Sequence, residues 1–115
     1  MALKQDKQLK LYYSIREVAE MFGVNESLIR YWEKEFPDIA PKRAGGKIRQ
    51  YTKEDVESIR QVYYLVKEKG MTLAGAKQQM KQNKEGVRNT TELVKRLKQI
   101  RNELVSIRKE LDYLT

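Results

Sequence analysis

Ser27, Arg30, Tyr31 and Lys34 are spaced so that a hydroxyl, a guanidinium, a phenol and an ammonium lie together on one side of a single helix. A guanidinium there could grip a guanine edge or a phosphate, and an ammonium a phosphate. A few residues on, positions 41–51 hold Lys42, Arg43, Lys47 and Arg49 and no acid. This chemistry suits holding a polyanion rather than making or breaking bonds. The chain contains no Cys and no His, so thiolate and imidazole chemistry and the commonest metal ligands are absent. No paired acids, nucleophile with base, or glycine-rich phosphate loop occurs at a usable spacing, and Gly45-Gly46 alone is too short for such a loop. The sequence therefore predicts no catalytic residue, no metal site, no cofactor and no enzyme.

Composition agrees with a polyanionic partner. The 115 residues carry a formal net charge of +8, with 35% charged and 40% apolar residues. That balance suits a helical protein with much exposed surface. The excess charge is spread almost evenly along the chain, so patterning has to carry the argument. No apolar run approaches the roughly 18–20 residues of a membrane span, and Met1 to Lys10 lacks the apolar centre of a signal peptide. Disulfides are impossible, and the expected compartment is the cytoplasm without a membrane partner.

The elements that would position these side chains are legible in turn. Residues 1–11 read as a flexible, Lys-rich lead-in. Ser14-x-x-Glu17 is a capping box opening a helix that buries Ile15, Val18, Ala19 and Phe22 and stops at Gly23. Asn25 is placed to cap a second helix ending near Phe36, before Pro37. Leu28, Ile29, Trp32 and Phe36 fall on its inner face, with Ser27, Arg30 and Lys34 almost opposite and Glu26 and Glu33 on a flank. Pro41 to Tyr51 reads as a hairpin turning at Gly45-Gly46. Thr52-x-x-Asp55 opens a third helix to about Lys69, with Val56, Ile59, Tyr63 and Val66 on one face. Thr72 caps a short fourth helix ending before Gly86, with Leu73, Ala76 and Met80 inward.

Asn89-x-x-Glu92 is expected to open the last helix. On it Leu93, Leu97, Ile100, Leu104, Ile107, Leu111 and Leu114 follow one another at alternating steps of four and three. This heptad seam has no polar interruption and no later element to cover it, so it predicts a second copy of the chain. An intramolecular bundle with the third and fourth helices is the competing use of the same stripe.

The pattern predicts a mainly α fold. A winged helix-turn-helix with a small β-hairpin wing occupies residues 12–88, and a long C-terminal coiled-coil helix for dimerisation follows over 89–115. Such a head places its second helix in the major groove of DNA. Ser27 and Arg30 then lie where base edges are reachable, while Tyr31 and Lys34 fall nearer the backbone. The wing cations Lys42, Arg43, Lys47 and Arg49 are candidates for phosphate, Arg43 and Arg49 foremost. Arg16 could reach the backbone from the first helix or simply be solvated. Tyr51 either packs under the wing or gives its hydroxyl to a phosphate. The ordinary alternative for the helix cations is a solvated face, and for the wing a charged hairpin that discourages edge pairing.

The order of these elements resembles the MerR family of bacterial transcription regulators over residues 12–114. Leu28-Ile29-Arg30-Tyr31-Trp32-Glu33 looks like the family's Leu-Arg-Tyr-Tyr-Glu pattern, and Arg49-Gln50-Tyr51-Thr52 like its Arg-Arg-Tyr wing end. Trp32 stands where Tyr is commoner and Gln50 where Arg is frequent. The resemblance implies a homodimer in which two C-terminal helices pair as an antiparallel coiled coil and two heads distort promoter DNA, with RNA polymerase a further partner there. Residues 90–115 span about 37 Å at roughly 1.5 Å per residue, comparable to the roughly 34–36 Å between successive major-groove faces. The expected function is sequence-specific double-stranded DNA binding for transcription regulation. An excisionase-like DNA-bending protein, or a coiled-coil protein adaptor without DNA affinity, would draw on the same elements.

Overall fold

The computed structural model describes residues 11–115, and the lead-in expected over 1–11 lies almost wholly outside them. Helix α1 runs Ile15–Phe22 and begins with the expected capping box: Ser14 Oγ accepts from the Glu17 amide at 3.1 Å, and the Ser14 amide donates to Glu17 Oε1 at 3.1 Å. Gly23, at φ 63°, ends it in the left-handed conformation that a side chain would strain. Helix α2, Glu26–Glu35, follows after only three residues. Asn25 occupies its N-cap position without a side-chain capping bond, so the entry is held by backbone alone.

Strands β1 (Lys42–Ala44) and β2 (Ile48–Gln50) pair antiparallel, with Lys42 opposite Gln50, Arg43 opposite Arg49 and Ala44 opposite Ile48. The hairpin loop is one residue longer than the glycine pair, since Lys47 belongs to it. Gly45 and Gly46 have φ values of 59° and 79°, which supply the reversal. Tyr13 and Tyr51 exchange backbone hydrogen bonds of 2.8 and 2.9 Å, fastening the segment before α1 to the end of the wing.

Helix α3 (Lys53–Tyr63) opens on the Thr52–Asp55 capping box. Buried Asp55 also accepts from the Ala40 amide at 3.2 Å, so one carboxylate caps α3 and holds the loop that leads from α2 into the wing. The helix continues as a π-helical turn over Tyr64–Glu68, close to the expected end at Lys69. Helix α4 spans Leu73–Gln82 behind the Thr72 cap.

The last helix corrects the expectation at its start. Helix α5 covers Lys84–Leu114, so the Asn89-x-x-Glu92 segment is helix interior rather than a cap. Only Asn83, with φ −133° and ψ 47°, separates it from α4. The additional turn is held by packing, because Val87 and Thr91 are buried against the head. Gly86 fits this corner because a Cβ there would lie 2.5 Å from Asn83 side-chain atoms.

One core joins these elements: Val18 and Ala19 of α1, Ile29 and Trp32 of α2, Phe36, Ile39 and Tyr51 of the connecting segments, Val56, Ile59 and Val62 of α3, then Leu65, Ala76, Met80 and Val87. Trp32 and Phe36 are buried as expected. Tyr63 is half-buried and packs edge-on to Trp32 at 6.5 Å and beside Phe22 at 5.6 Å between ring centroids. Beyond Thr91 the heptad residues lie open: Leu93, Leu97, Ile100, Leu104, Ile107, Leu111 and Leu114 are all exposed. The single chain therefore does not fold its seam into an intramolecular bundle.

Candidate nucleic-acid interface

Burial of Ile29 and Trp32 sets the rotation of α2, and the same rotation turns Ser27, Arg30, Tyr31 and Lys34 outward. All four are exposed, Tyr31 by 47% despite its ring. Arg30 meets only Glu26, one turn back, at 3.8 Å, a loose pair on a solvent face that holds it weakly. Lys34 makes no ion pair with a described residue. Arg16, on α1, is also exposed and pairs with Glu20 at 3.4 Å.

In the wing, Lys42 and Lys47 are exposed and form no ion pair among the described residues. The two arginines differ from that pattern. Arg43 and Arg49 stand directly opposite one another across the hairpin, an arrangement in which like charges repel. Glu33 of α2 resolves it. Its Oε2 accepts from Arg49 Nε at 2.8 Å, and its Oε1 lies 3.5 Å from Arg43 Nη2. For these two arginines, though not for Lys42 and Lys47, the expectation of wing cations without a compensating acid is overturned: the acid comes from the preceding helix, sixteen residues from Arg49.

Tyr51 takes the packing alternative. It is fully buried, and its hydroxyl donates to Glu33 Oε2 at 3.1 Å, which removes it from the candidates for direct phosphate contact. Burial, reinforced by the neighbouring carboxylate, pushes its pKa well above the usual tyrosine range, so the hydroxyl remains a donor. Glu33 was missed as a functional residue because its partners are distant in sequence. The available signal was an acid on the outward-facing helix with no cation four residues away.

Two groups of cations result. Arg30 and Lys34 on α2, with Lys42 and Lys47 on the wing, are open; Arg43 is shared between solvent and Glu33, and Arg49 is mostly covered. Among the described residues no cluster of acids, His or Cys could hold a metal ion, and no helix is long and apolar enough to cross a membrane.

A short helix pair turning at Gly23, followed by a cationic hairpin packed back on the second helix, defines a winged helix-turn-helix head. The sequence profile of the MerR HTH family regulatory proteins matches residues 13–83, more than half of the chain, and the chain belongs to that family. It is 37% identical over 68 residues to the HTH-type transcriptional repressor CarA of Myxococcus xanthus, covering 58% of this chain and 24% of CarA. It is 34% identical over 71 residues to the regulator protein TubY of Clostridium botulinum C phage, covering 62% and 30%. The chain thus spans less than a third of the length of these two relatives. Two solved structures share the fold. A MerR family transcriptional regulator from Bacillus cereus aligns with a TM-score of 0.55 at 22% identity, over 84% of this chain and 73% of that one. HiNmlR, a MerR family regulator lacking the sensor domain and solved bound to promoter DNA, aligns with a TM-score of 0.52 at 20% identity, over 88% of both chains.

Proposed function

We propose that this chain is a sequence-specific, double-stranded DNA-binding transcription regulator that works as a homodimer on a two-fold related promoter site. The carrying observation is that α2 presents Arg30 and Lys34 to solvent on the same head that projects Lys42 and Lys47 from the wing. In this reading Ser27 and Arg30 read base edges, Tyr31 and Lys34 flank them, and Lys42, Arg43, Lys47 and Arg16 meet phosphates. Exposure of the α5 seam supports pairing, with two copies antiparallel and the heads set apart along the duplex. Distortion of the promoter and contact with RNA polymerase there follow the family's pattern.

Selection of bound duplexes from a random library tests the reading. The expected product is a motif with two related halves, bound with an affinity that falls steeply as salt rises, because each neutralised phosphate releases counterions. Absence of an enriched motif, or an affinity unchanged between low and moderate salt, would refute it.

A further inference from the structure

Glu33 is a carboxylate on the outward side of the reading helix that turns toward the wing. It is only 15% exposed and holds three donors at once: Arg49, Arg43 and the buried Tyr51 hydroxyl. These three belong to both wing strands and to the residue that closes the hairpin, whereas Glu33 itself follows Trp32, the largest buried side chain of α2. Buried Ile39 and Tyr51 fix the base of the hairpin, but its strands have only three residues each and Ile48 on them is exposed, so little apolar burial holds the strands themselves against α2. The carboxylate does, through a short, directional charge-assisted hydrogen bond to Arg49 at 2.8 Å and a looser contact to Arg43 at 3.5 Å.

We infer that Glu33 is a positioning residue for DNA recognition. It sets the wing's angle to the reading helix and withholds Arg49, and part of Arg43, from phosphate. The inference rests on the DNA-binding reading above. Its consequence is a trade of affinity for specificity. A head with two further free cations would bind any duplex more tightly, because the phosphate term is independent of sequence. A head whose wing is held at one angle admits fewer registers on the duplex. Arg49 then acts as the wing's anchor, and phosphate contact is left to Lys42, Lys47 and the exposed fraction of Arg43.

The test uses the full chain with its selected duplex and a scrambled one, across a salt series. Glu33→Gln is expected to raise affinity for the scrambled duplex several-fold and to steepen the salt slope by about 0.9 for each newly engaged phosphate. The ratio of specific to scrambled affinity should fall. Glu35→Gln, the same charge change on the same helix but beside Lys77, is the control and should leave all three near the parent values. Glu33→Asp keeps the charge but is one methylene too short to span the same donors. It should lower the specificity ratio and raise the scrambled affinity less than Glu33→Gln does, because the retained charge still offsets the released arginines, and it decides the matter should Glu33→Gln not fold. A parent with no salt-dependent duplex binding overturns the DNA-binding reading itself. A parent that binds, with Glu33→Gln matching Glu35→Gln or Glu33→Asp keeping the parent ratio, overturns the role of Glu33 alone.

Discussion

Leu104 lies at the middle of the α5 seam, where a two-fold axis between paired helices would bring both copies of the residue into the interface. In the single chain 60% of it is exposed. Complete burial of a Leu side chain contributes about 1.5–3 kcal/mol, so covering the exposed part contributes about 1–2 kcal/mol per copy. Leu104→Ala in both copies should therefore weaken the dimer by about 2–4 kcal/mol, a rise in dissociation constant of about 30- to 700-fold. Alanine is the best helix former, so α5 itself should persist, and circular dichroism should show the parent's helicity. Val105 is the control: it is 41% exposed and adjacent in sequence, but it faces away from the seam. Sedimentation equilibrium at micromolar concentrations should show a parent dimer, an unchanged Val105→Ala dimer and a Leu104→Ala monomer. A monomeric parent, or equal weakening by the two substitutions, would refute the claim that the heptad stripe is a pairing surface.

Arg30→Ala should flatten base preference at one position of each half-site, at a cost of about 1–3 kcal/mol in discrimination. Repeating the duplex selection with the variant checks this, and a motif identical to the parent's would remove Arg30 from base reading. Thr52→Ala removes the α3 capping hydroxyl and should cost about 1 kcal/mol, a fall of about 4–8 °C in Tm for a domain of this size. Differential scanning calorimetry reads it. The raised pKa of Tyr51 makes a pH prediction with a definite sign. Its neutral hydroxyl is favoured in the folded state, so its contribution is complete below the unfolded tyrosine value of about 10 and is lost as pH climbs above it. Urea unfolding at pH 8 and pH 10.5 should show a smaller loss of stability for Tyr51→Phe than for the parent, and equal losses would remove Tyr51 from the account.

Local rules carried most of the fold because most of its boundaries are local. Ser14 with Glu17, Thr52 with Asp55, and Gly23 each declare themselves within four residues, and the structure places a helix end at each. The helix periodicities were equally readable, since Ile29 and Trp32 have to face inward whatever else the chain does. The start of α5 failed the same rules for a tertiary reason. The Asn89 box is an acceptable cap, but burial of Val87 and Thr91 against the head outweighs it and draws the preceding turn into the helix. The wing was half legible: its strands and glycine turn follow from sequence, whereas its electrostatic state does not. Positions 41–51 by themselves hold four cations and no acid, and two of the four are compensated only because Glu33 of another element reaches Arg43 and Arg49.

The early start of α5 bears on how two heads could be held on one site. Lys84, Lys95 and Lys98 of α5 pair with Asp38, Glu57 and Glu68 of the head at 2.8, 3.6 and 2.7 Å. Such exposed pairs individually stabilise little. They are nevertheless distributed over more than three turns of helix and act beside the buried Val87 and Thr91, so the head grips α5 along its length rather than at a hinge. The seam begins at Leu93, between the first and the last of these contacts, which leaves no unattached helix between the head and the exposed seam. The head thereby fixes the direction in which the exposed seam leaves it, through α3, the π-helical turn and the loop after α2.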